Sequence, residues 1–296
     1  MNEVTVVIIT YKRPIETLMR AVNSVIKQAY SNWILYVVND NPEDTGLADL
    51  IKKSLKETGD NRVHYLSYDK NHGSNYARNF GLKHSDTKYI AFLDDDDEWL
   101  PDKLDKQVRV IQKNEDIALV SCGFYIVSNG KIVREKKAYP KKDDSIYFLL
   151  YDNYIGGTSF PLLRTKYVIE AGGFDEKMKS CQEYDLWIRL RKNHIFRTVN
   201  VPLAKYYISN DSIYKKNEDK FNDGTIRIIK KYKKLYEKDR MALNIKLNGM
   251  AFYFLTRKNL NLYFKYKKQA IKVYPLSRAN FIVLFKAINK VKEKIS

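Results

Sequence analysis

Four consecutive aspartates, Asp94 to Asp97, interrupt the segment YIAFLDDDDEWLPDKL, directly behind an apolar run with the pattern of a buried strand. Carboxylates so close together repel one another, and along an extended chain Asp94 and Asp96 point to the same side. A divalent cation relieves that repulsion. Hard oxygen ligands suit Mg²⁺ or Mn²⁺, and Mg²⁺ takes one or two carboxylates and fills its shell with phosphate oxygens and water. The competing reading is helix capping, because acidic residues favour the N-terminus of a helix such as the one expected from near Pro101. Capping uses one or two acids, and Asp97 and Glu98 are the natural candidates for it.

The elements that must position this run alternate between strand and helix patterns. VTVVIIT (4–10) is a β-branched run expected as a strand covered on both faces. From Pro14 to Gln28, Ile15, Leu18, Met19, Val22, Val25 and Ile26 recur at helical spacing. WILYVVND (33–40) predicts a second strand, followed by the turn-forming NDNPEDTG and a helix from about Leu47 to Thr58. A third strand is expected at 62–68, a helix at 75–85 and a fourth strand at 89–94. This alternation predicts an α/β fold with a mostly parallel sheet, which binds ligands beyond the carboxyl ends of its strands. Those ends carry Thr10 to Arg13, Asn39 with Asp40, Asp69 to Gly73, and the aspartates, so four polar clusters should meet at one crevice.

Composition limits what else the chain can be. At 296 residues, 44% hydrophobic and 13% aromatic, it can bury a full core with a smaller appendage. The net charge of +18 is unevenly spread: residues 221–296 hold 19 Lys and Arg against 4 Asp and Glu, leaving 34 against 31 for residues 1–220. A nearly neutral body and a cationic end point to two jobs, chemistry in one and contact with a polyanionic surface in the other. Cys122 and Cys181 lie far apart with no CxxC spacing, which indicates neither a zinc site nor a disulfide framework and fits a reduced cytoplasm. No secretory signal is visible, and the longest later apolar runs, such as Phe281 to Phe285, fall short of the roughly 18 residues that a spanning helix needs.

The ordered set VVIITYKRP, VVND, NHGSNYARNFGL, YIAFLDDDDEWLPDKL and AGGFDEKMKSCQEYDLWIRL resembles the family 2 glycosyltransferases over about residues 3 to 205. These are inverting enzymes of GT-A fold that use nucleotide-diphosphate sugars. The resemblance implies that Thr10, Tyr11 and Arg13 contact the nucleotide, with Tyr11 offering an aromatic face and Arg13 a phosphate partner. It implies that Asp40 accepts the uracil N3 proton, although the usual Asp-Asp pair here reads Asn39-Asp40. An Asx turn into Pro42 is the alternative use of that residue. Asn71 and Gly73 fall in the loop before the third helix, where glycine permits close backbone approach, and Arg78 is expected to face the diphosphate or the aspartates. The DXD motif falls on Asp94, Asp95 and Asp96, with Asp96 as the first metal ligand, Asp94 reaching ribose or metal, and Mn²⁺ or Mg²⁺ as the cofactor.

The same resemblance puts the catalytic base in SCQEYDLWIRL (180–190). Transfer to a hydroxyl with inversion needs a carboxylate opposite the leaving group. The family's acidic pair here reads Gln182-Glu183, so Glu183 is the expected base and glutamate replaces the commoner aspartate. Asp185 is the competitor, but at a helix start it is also placed to cap the helix or to pair with Arg189, four residues on. Trp99, next to the acids, is a modest candidate for stacking on a sugar, whereas Trp187 reads as core. The histidines at 64, 72, 84 and 194 have no metal-ligand spacing.

Two domains are therefore expected, a GT-A domain over 1–210 and a basic helical region over 211–296. The latter reads as three helical stretches broken near Asp239 and Pro275. In the last, Ile282, Phe285, Ile288 and Val291 oppose Lys286, Lys290 and Lys294, a pattern that suits either an anionic membrane interface or a face packed on the body. The expected partners are a UDP-sugar donor and a cell-surface glycan or lipid-linked acceptor, with an oligomer possible. The expected location is the cytoplasm or the inner face of the cell membrane. Two other classes compete. A nucleic-acid binder lacks a recognised fold signature, and a sugar nucleotidyltransferase would carry a Gly-rich loop where this chain has TYKRP.

Overall fold

The structure, a computed structural model, describes residues 3–138, 145–208 and 218–280. The β-branched run forms strand β1 (Val4–Thr10), with Val4, Val6, Val7 and Ile8 all at 0–1% exposure, so both of its faces are covered as expected. Strand β1 pairs in parallel with β2 (Trp33–Asn39) and β4 (Tyr89–Asp94), and β2 pairs in parallel with β3 (Val63–Ser67). Register brings the ends together: Thr10 lies opposite Asn39, Asn39 opposite Ser67 and Ile9 opposite Asp94, so four carboxyl ends share one edge.

Helices α1 (Ile15–Ile26), α2 (Thr45–Glu57) and α3 (Ser74–Lys83) connect these strands. Helix α3 sits hard against β1 at Gly81, where an added Cβ would come within 2.5 Å of Val7 Cγ1. Only glycine tolerates that approach, and it fixes the depth at which the next turns of α3 meet the strand ends.

The sheet continues past β4 through β8 (Leu162–Arg164), β6 (Ile117–Ser128), β9 (Ile195–Ile208) and the short β5 (Glu98–Trp99), with β7 (Lys131–Lys136) as a hairpin on β6. Its order is β3-β2-β1-β4-β8-β6-β9-β5, and β8 runs antiparallel to both neighbours. Helices α4 (Lys103–Ile111), α6 (Thr165–Glu170) and α7 (Gln182–Arg191) complete this part. It is a GT-A architecture, a mostly parallel curled sheet flanked by helices.

Contacts divide the chain into two compact units, one of residues 1–144 with 154–216 and one of 145–153 with 217–296. The second contains α5 (Ile146–Tyr151), α8 (Glu218–Lys231), α9 (Lys233–Lys238), α10 (Arg240–Thr256) and α11 (Leu260–Val273). Asp239 ends α9 and caps α10, accepting from Ala242 N, as the sequence suggested. The single helix expected across residues 241–275 is instead two. Lys258 takes a left-handed φ of 59°, and Asn259 opens α11 by accepting from Leu262 N. Asn244, Asn248 and Asn280 form a buried amide network that also receives Lys267. The amphipathic stretch expected at 282–294 lies outside the described residues.

Candidate active site

The aspartate run is tied from both sides. It leaves β4, turns with Asp97 N donating to Asp94 O, and at once enters β5, where Glu98 and Trp99 pair with Lys205 and Ala204 of β9. This pairing overturns the capping roles expected for Asp97 and Glu98. Asp97 is 1% exposed and accepts from Ser159 Oγ at 2.6 Å and from Tyr207 N at 3.3 Å. Burial, with Asp94 and Asp96 nearby, holds its carboxyl well above the usual range. Glu98 accepts from Lys205 Nζ at 2.8 Å and Tyr207 Oη at 2.6 Å. Burial opposes its ionisation, but these two donors hold its carboxyl below the usual range. Trp99 is core rather than a sugar platform: it is 2% exposed, donates Nε1 to Ser159 O and lies under Lys103 Nζ at 3.9 Å.

Asp94, Asp95 and Asp96 meet two arginines. Arg13, half-buried after β1, donates Nε to Asp95 Oδ1 at 2.8 Å and Nη2 to Asp96 Oδ2 at 2.9 Å, so it is no idle surface residue. Arg78, 5% exposed on α3, donates Nη2 to Asp94 Oδ1 at 2.8 Å, and Thr158 Oγ1 donates to the same oxygen at 3.0 Å. Arg78 Nε and Nη1 are buried without protein partners. Asp95 is buried, which raises its carboxyl despite Arg13 and Thr10. Asp96 is the most open of the three, with 41% of its side chain exposed, yet burial around it and the charges of Asp94 and Asp95 push its pKa up to about 6. Arg20 supports the turn from α1, donating Nη2 to Asp96 O at 2.6 Å while stacked 3.7 Å from the Tyr207 ring.

The nucleotide-side residues lie at the neighbouring strand ends. Thr10 is 2% exposed, whereas Tyr11 is 48% exposed beside Lys12, which has a left-handed φ of 50°. The Asx turn expected of Asp40 is made by Asn39, whose Oδ1 accepts from Asn41 N at 3.0 Å. Asp40 instead collects donors from the third strand end. Its Oδ1 accepts from Tyr68 Oη at 2.6 Å, His72 N at 3.0 Å and Gly73 N at 3.3 Å. Asn71 Nδ2 donates to Asp40 O at 2.7 Å, so Asn71 shapes the loop. Gly73, φ 91°, opens α3.

The fourth side of the crevice comes from the loop at 172–181 and helix α7. Two asparagines of α3 grip this loop. Asn75 Nδ2 donates to Asp175 O at 3.0 Å and Met178 O at 2.7 Å, and Asn79 Nδ2 donates to Phe174 O while its Oδ1 accepts from Phe174 N. Cys181, buried and left-handed at φ 56°, turns the chain into α7. Glu183 then lies in the field of Arg78 and Asp94, keeping part of its surface open, and burial raises its carboxyl above the usual range against the lowering effects of its backbone hydrogen bond and, after that, of Arg78. Asp185, the competing base, is closed to solvent. Its side chain is 0% exposed and accepts from Arg189 Nε at 2.9 Å, the pair suggested by the four-residue spacing. Trp187 is 0% exposed and bonds Gly156 O.

The donor chemistry at the strand end fits a divalent cation shared with a ligand. No three His, Cys, Asp or Glu side chains among the described residues form a complete cage. Instead, Asp94 and Asp96 leave the same strand end, each accepting from one arginine, and after burial the charge of Asp94 is what most raises the Asp96 carboxyl. One or two such carboxylates are what Mg²⁺ takes when phosphate supplies the remainder.

Sequence reading missed Thr158 and Ser159, Tyr68, the loop-gripping Asn75 and Asn79, and the pair Arg20 and Tyr207. The motif NHGSNYARN contained Asn75 and Asn79 in plain view, one turn of helix apart and flanking Arg78.

Residues 5–172 match glycosyl transferase family 2, and the chain belongs to that family. It is 30% identical over 213 residues to the uncharacterized glycosyltransferase MJ1057 of Methanocaldococcus jannaschii, covering 71% of this chain and 72% of that one. It is 31% identical over 199 residues to the UDP-Glc:alpha-D-GlcNAc-diphosphoundecaprenol beta-1,3-glucosyltransferase WfgD of Escherichia coli, covering 67% and 74%. Among solved structures it resembles S. aureus TarS 1-349 in complex with UDP-GlcNAc, with a TM-score of 0.62 and 15% identity over 96% of this chain and 79% of that one.

Proposed function

We infer that this glycosyltransferase moves a hexose or N-acetylhexosamine from UDP, with inversion, to a hydroxyl of a lipid-linked or cell-surface glycan. What supports the reading is the Arg78–Asp94 pair at the acidic strand end, whose charges both reach the part-open Glu183 on the first turn of α7. Glu183 takes the proton from the acceptor hydroxyl, and a carboxyl held above its ordinary range is a stronger base for that step. Arg78 has two buried N–H groups unspent, and a diphosphate is the ligand class that satisfies them. Asp40, held by Tyr68 and the 72–73 backbone, receives the base edge, with Thr10, Tyr11 and Arg13 beside it.

Asp96, with Asp94, would hold Mg²⁺ or Mn²⁺, which neutralises the diphosphate and the charge growing on the departing group. The acceptor class is argued from the diphosphoundecaprenol substrate in the name of the E. coli relative. A lipid carrier would place the enzyme at the inner face of the cell membrane.

The test is thermal stabilisation and donor hydrolysis across a panel of sugar nucleotides, with and without Mn²⁺. Stabilisation by UDP-sugars, strengthened by Mn²⁺ and lost in Asp96→Asn, is the expected result. Stabilisation by another nucleotide class, or the same response in Asp96→Asn, overturns the donor and metal assignments.

A further inference from the structure

Five of the thirteen exposed large apolar side chains among the described residues fall within residues 260–276. Isolated exposed apolar residues are ordinary, but a concentration of this kind marks a contact surface. Along α11, Leu260 (53% exposed), Phe264 (63%) and Ile271 (45%) lie at spacings of four and seven, within about 40° of one another at the helical repeat. Leu276, just past the helix, is 90% exposed. Tyr263 and Ala270, about 60° to 80° round the helix from Leu260 on the other side of the strip, are buried, so α11 packs along that edge and still leaves this apolar strip uncovered. Lys265, Lys268 and Lys272 are also exposed and fall about 80° to 140° round the helix from Leu260.

We propose that this face of α11 is an interfacial docking surface for an anionic lipid bilayer, with Leu260, Phe264 and Ile271 entering the acyl boundary and Lys265, Lys268 and Lys272 meeting headgroup phosphates. Each half of the pattern eliminates a competitor. A second copy of the chain would cover the apolar strip but bring its own lysines towards these, and like charges across a symmetric interface repel. Nucleic acid would satisfy the lysines but leave three large apolar side chains without a role. A bilayer uses both at once, binding through buried apolar area plus attraction to anionic lipid. The surrounding charge agrees, with 19 Lys and Arg against 4 Asp and Glu over residues 221–296. No described helix is long and apolar enough to cross a membrane, so the contact is one of lying on the surface.

The inference deepens the lipid-linked acceptor reading but is measured apart from it, because vesicle partition needs no sugar donor. The experiment is sedimentation of the full chain with vesicles of phosphatidylglycerol mixed into phosphatidylcholine, against phosphatidylcholine alone. Binding should require the anionic lipid and weaken with salt. Lys265→Gln, Lys268→Gln and Lys272→Gln together should lower partition about 100-fold, since each lysine near the surface is worth roughly fivefold. Phe264→Ser with Ile271→Ser should lower it at least ~10-fold. All these side chains are exposed, so both variants should keep the wild-type far-UV spectrum and melting temperature. The proposal is overturned if the wild type ignores phosphatidylglycerol, or if both variants bind as it does. It is equally overturned if the chain self-associates without vesicles and Phe264→Ser with Ile271→Ser abolishes that association.

Discussion

Arg78 Nη2 lies 2.8 Å from Asp94 Oδ1, while the Nε and Nη1 of the same buried guanidinium have no protein partner. Buried donors left unmade cost on the order of 1–3 kcal/mol each, so a site that keeps two of them is built to receive an acceptor-rich ligand. Helix α3 is held at fixed depth by Gly81 on Val7, and Arg78 is one turn away. The arginine is therefore placed before any ligand arrives.

Arg78→Lys keeps the charge but loses the planar fork, and should weaken UDP binding at least ~10-fold. Arg78→Gln should do more. Against burial, the backbone hydrogen bond at Glu183 lowers its carboxyl first and Arg78 second, so removing Arg78 lets that pKa rise further. A base must be unprotonated, so the acid limb of the kcat profile should move to higher pH in Arg78→Gln and stay nearly in place in Arg78→Lys. Steady-state rates across pH, with calorimetric UDP binding, check both halves.

Glu183 and Asp185 separate by the kind of damage they report. Glu183→Gln removes the proton acceptor and should cut kcat at least ~100-fold, with UDP binding and melting temperature nearly unchanged. Asp185→Asn removes the charge of a fully buried carboxylate paired with the largely buried Arg189, whose side chain is 17% exposed, and should cost on the order of 3 kcal/mol of stability. Single-turnover kinetics beside denaturant unfolding distinguishes them. A Glu183→Gln enzyme with wild-type turnover would move the base elsewhere.

What could be read from the sequence follows the range of the interactions. Strands β1 to β4 were legible because Val4–Thr10 and Tyr89–Asp94 are apolar runs buried on both faces, and the polar residues ending them had only one edge to occupy. The pair Asp185 and Arg189 was legible because a helix fixes four-residue neighbours. Asp97 and Glu98 were misread because their partners, Ser159, Lys205 and Tyr207, lie 62 to 110 residues away, and no local pattern announces a two-residue strand. The turn at Asn39 was misassigned by one position, since either Asn39 or Asp40 can accept a backbone N–H two residues on. The break before Asn259 was missed because periodicity continues through it, although an Asn at a helix start is itself a signal.

Asn75 connects α3 to the loop that delivers Glu183, through Asp175 O and Met178 O. Asn75→Ala leaves two carbonyls without that donor and should cost roughly 1–3 kcal/mol of stability. The loop carries the base and not the nucleotide, so kcat should fall while the KM for the UDP-sugar stays within about twofold. Gly173→Ala should act likewise: its φ is 66° and the added Cβ would come within 2.5 Å of Asn79 Oδ1. A fall in donor affinity with kcat intact would show that the loop serves the nucleotide instead.

Lys103 gives a prediction about stability that is independent of the reaction. It is 0% exposed, donates to Gln107 Oε1 at 2.8 Å and lies over the Trp99 ring, and burial pushes its pKa down from 10.5 to about 8. A lysine whose pKa falls on folding penalises the fold wherever it is charged in both states, which is below about pH 8. As pH rises from about 8 towards 10.5 the folded state is neutral while the unfolded chain still binds a proton, and the penalty disappears. Lys103→Met removes this titration but leaves Gln107 Oε1 without that donor. The difference in unfolding free energy between Lys103→Met and wild type should therefore shift against the variant by roughly 3 kcal/mol between pH 7 and pH 11. Because the variant is the reference, alkaline titrations remote from Lys103 cancel, and placing both chains in a Cys122→Ala background removes the one thiol whose charge acts on it. Urea unfolding of the pair at both pH values measures it, and a difference constant with pH would mean that Lys103 stays charged within the core.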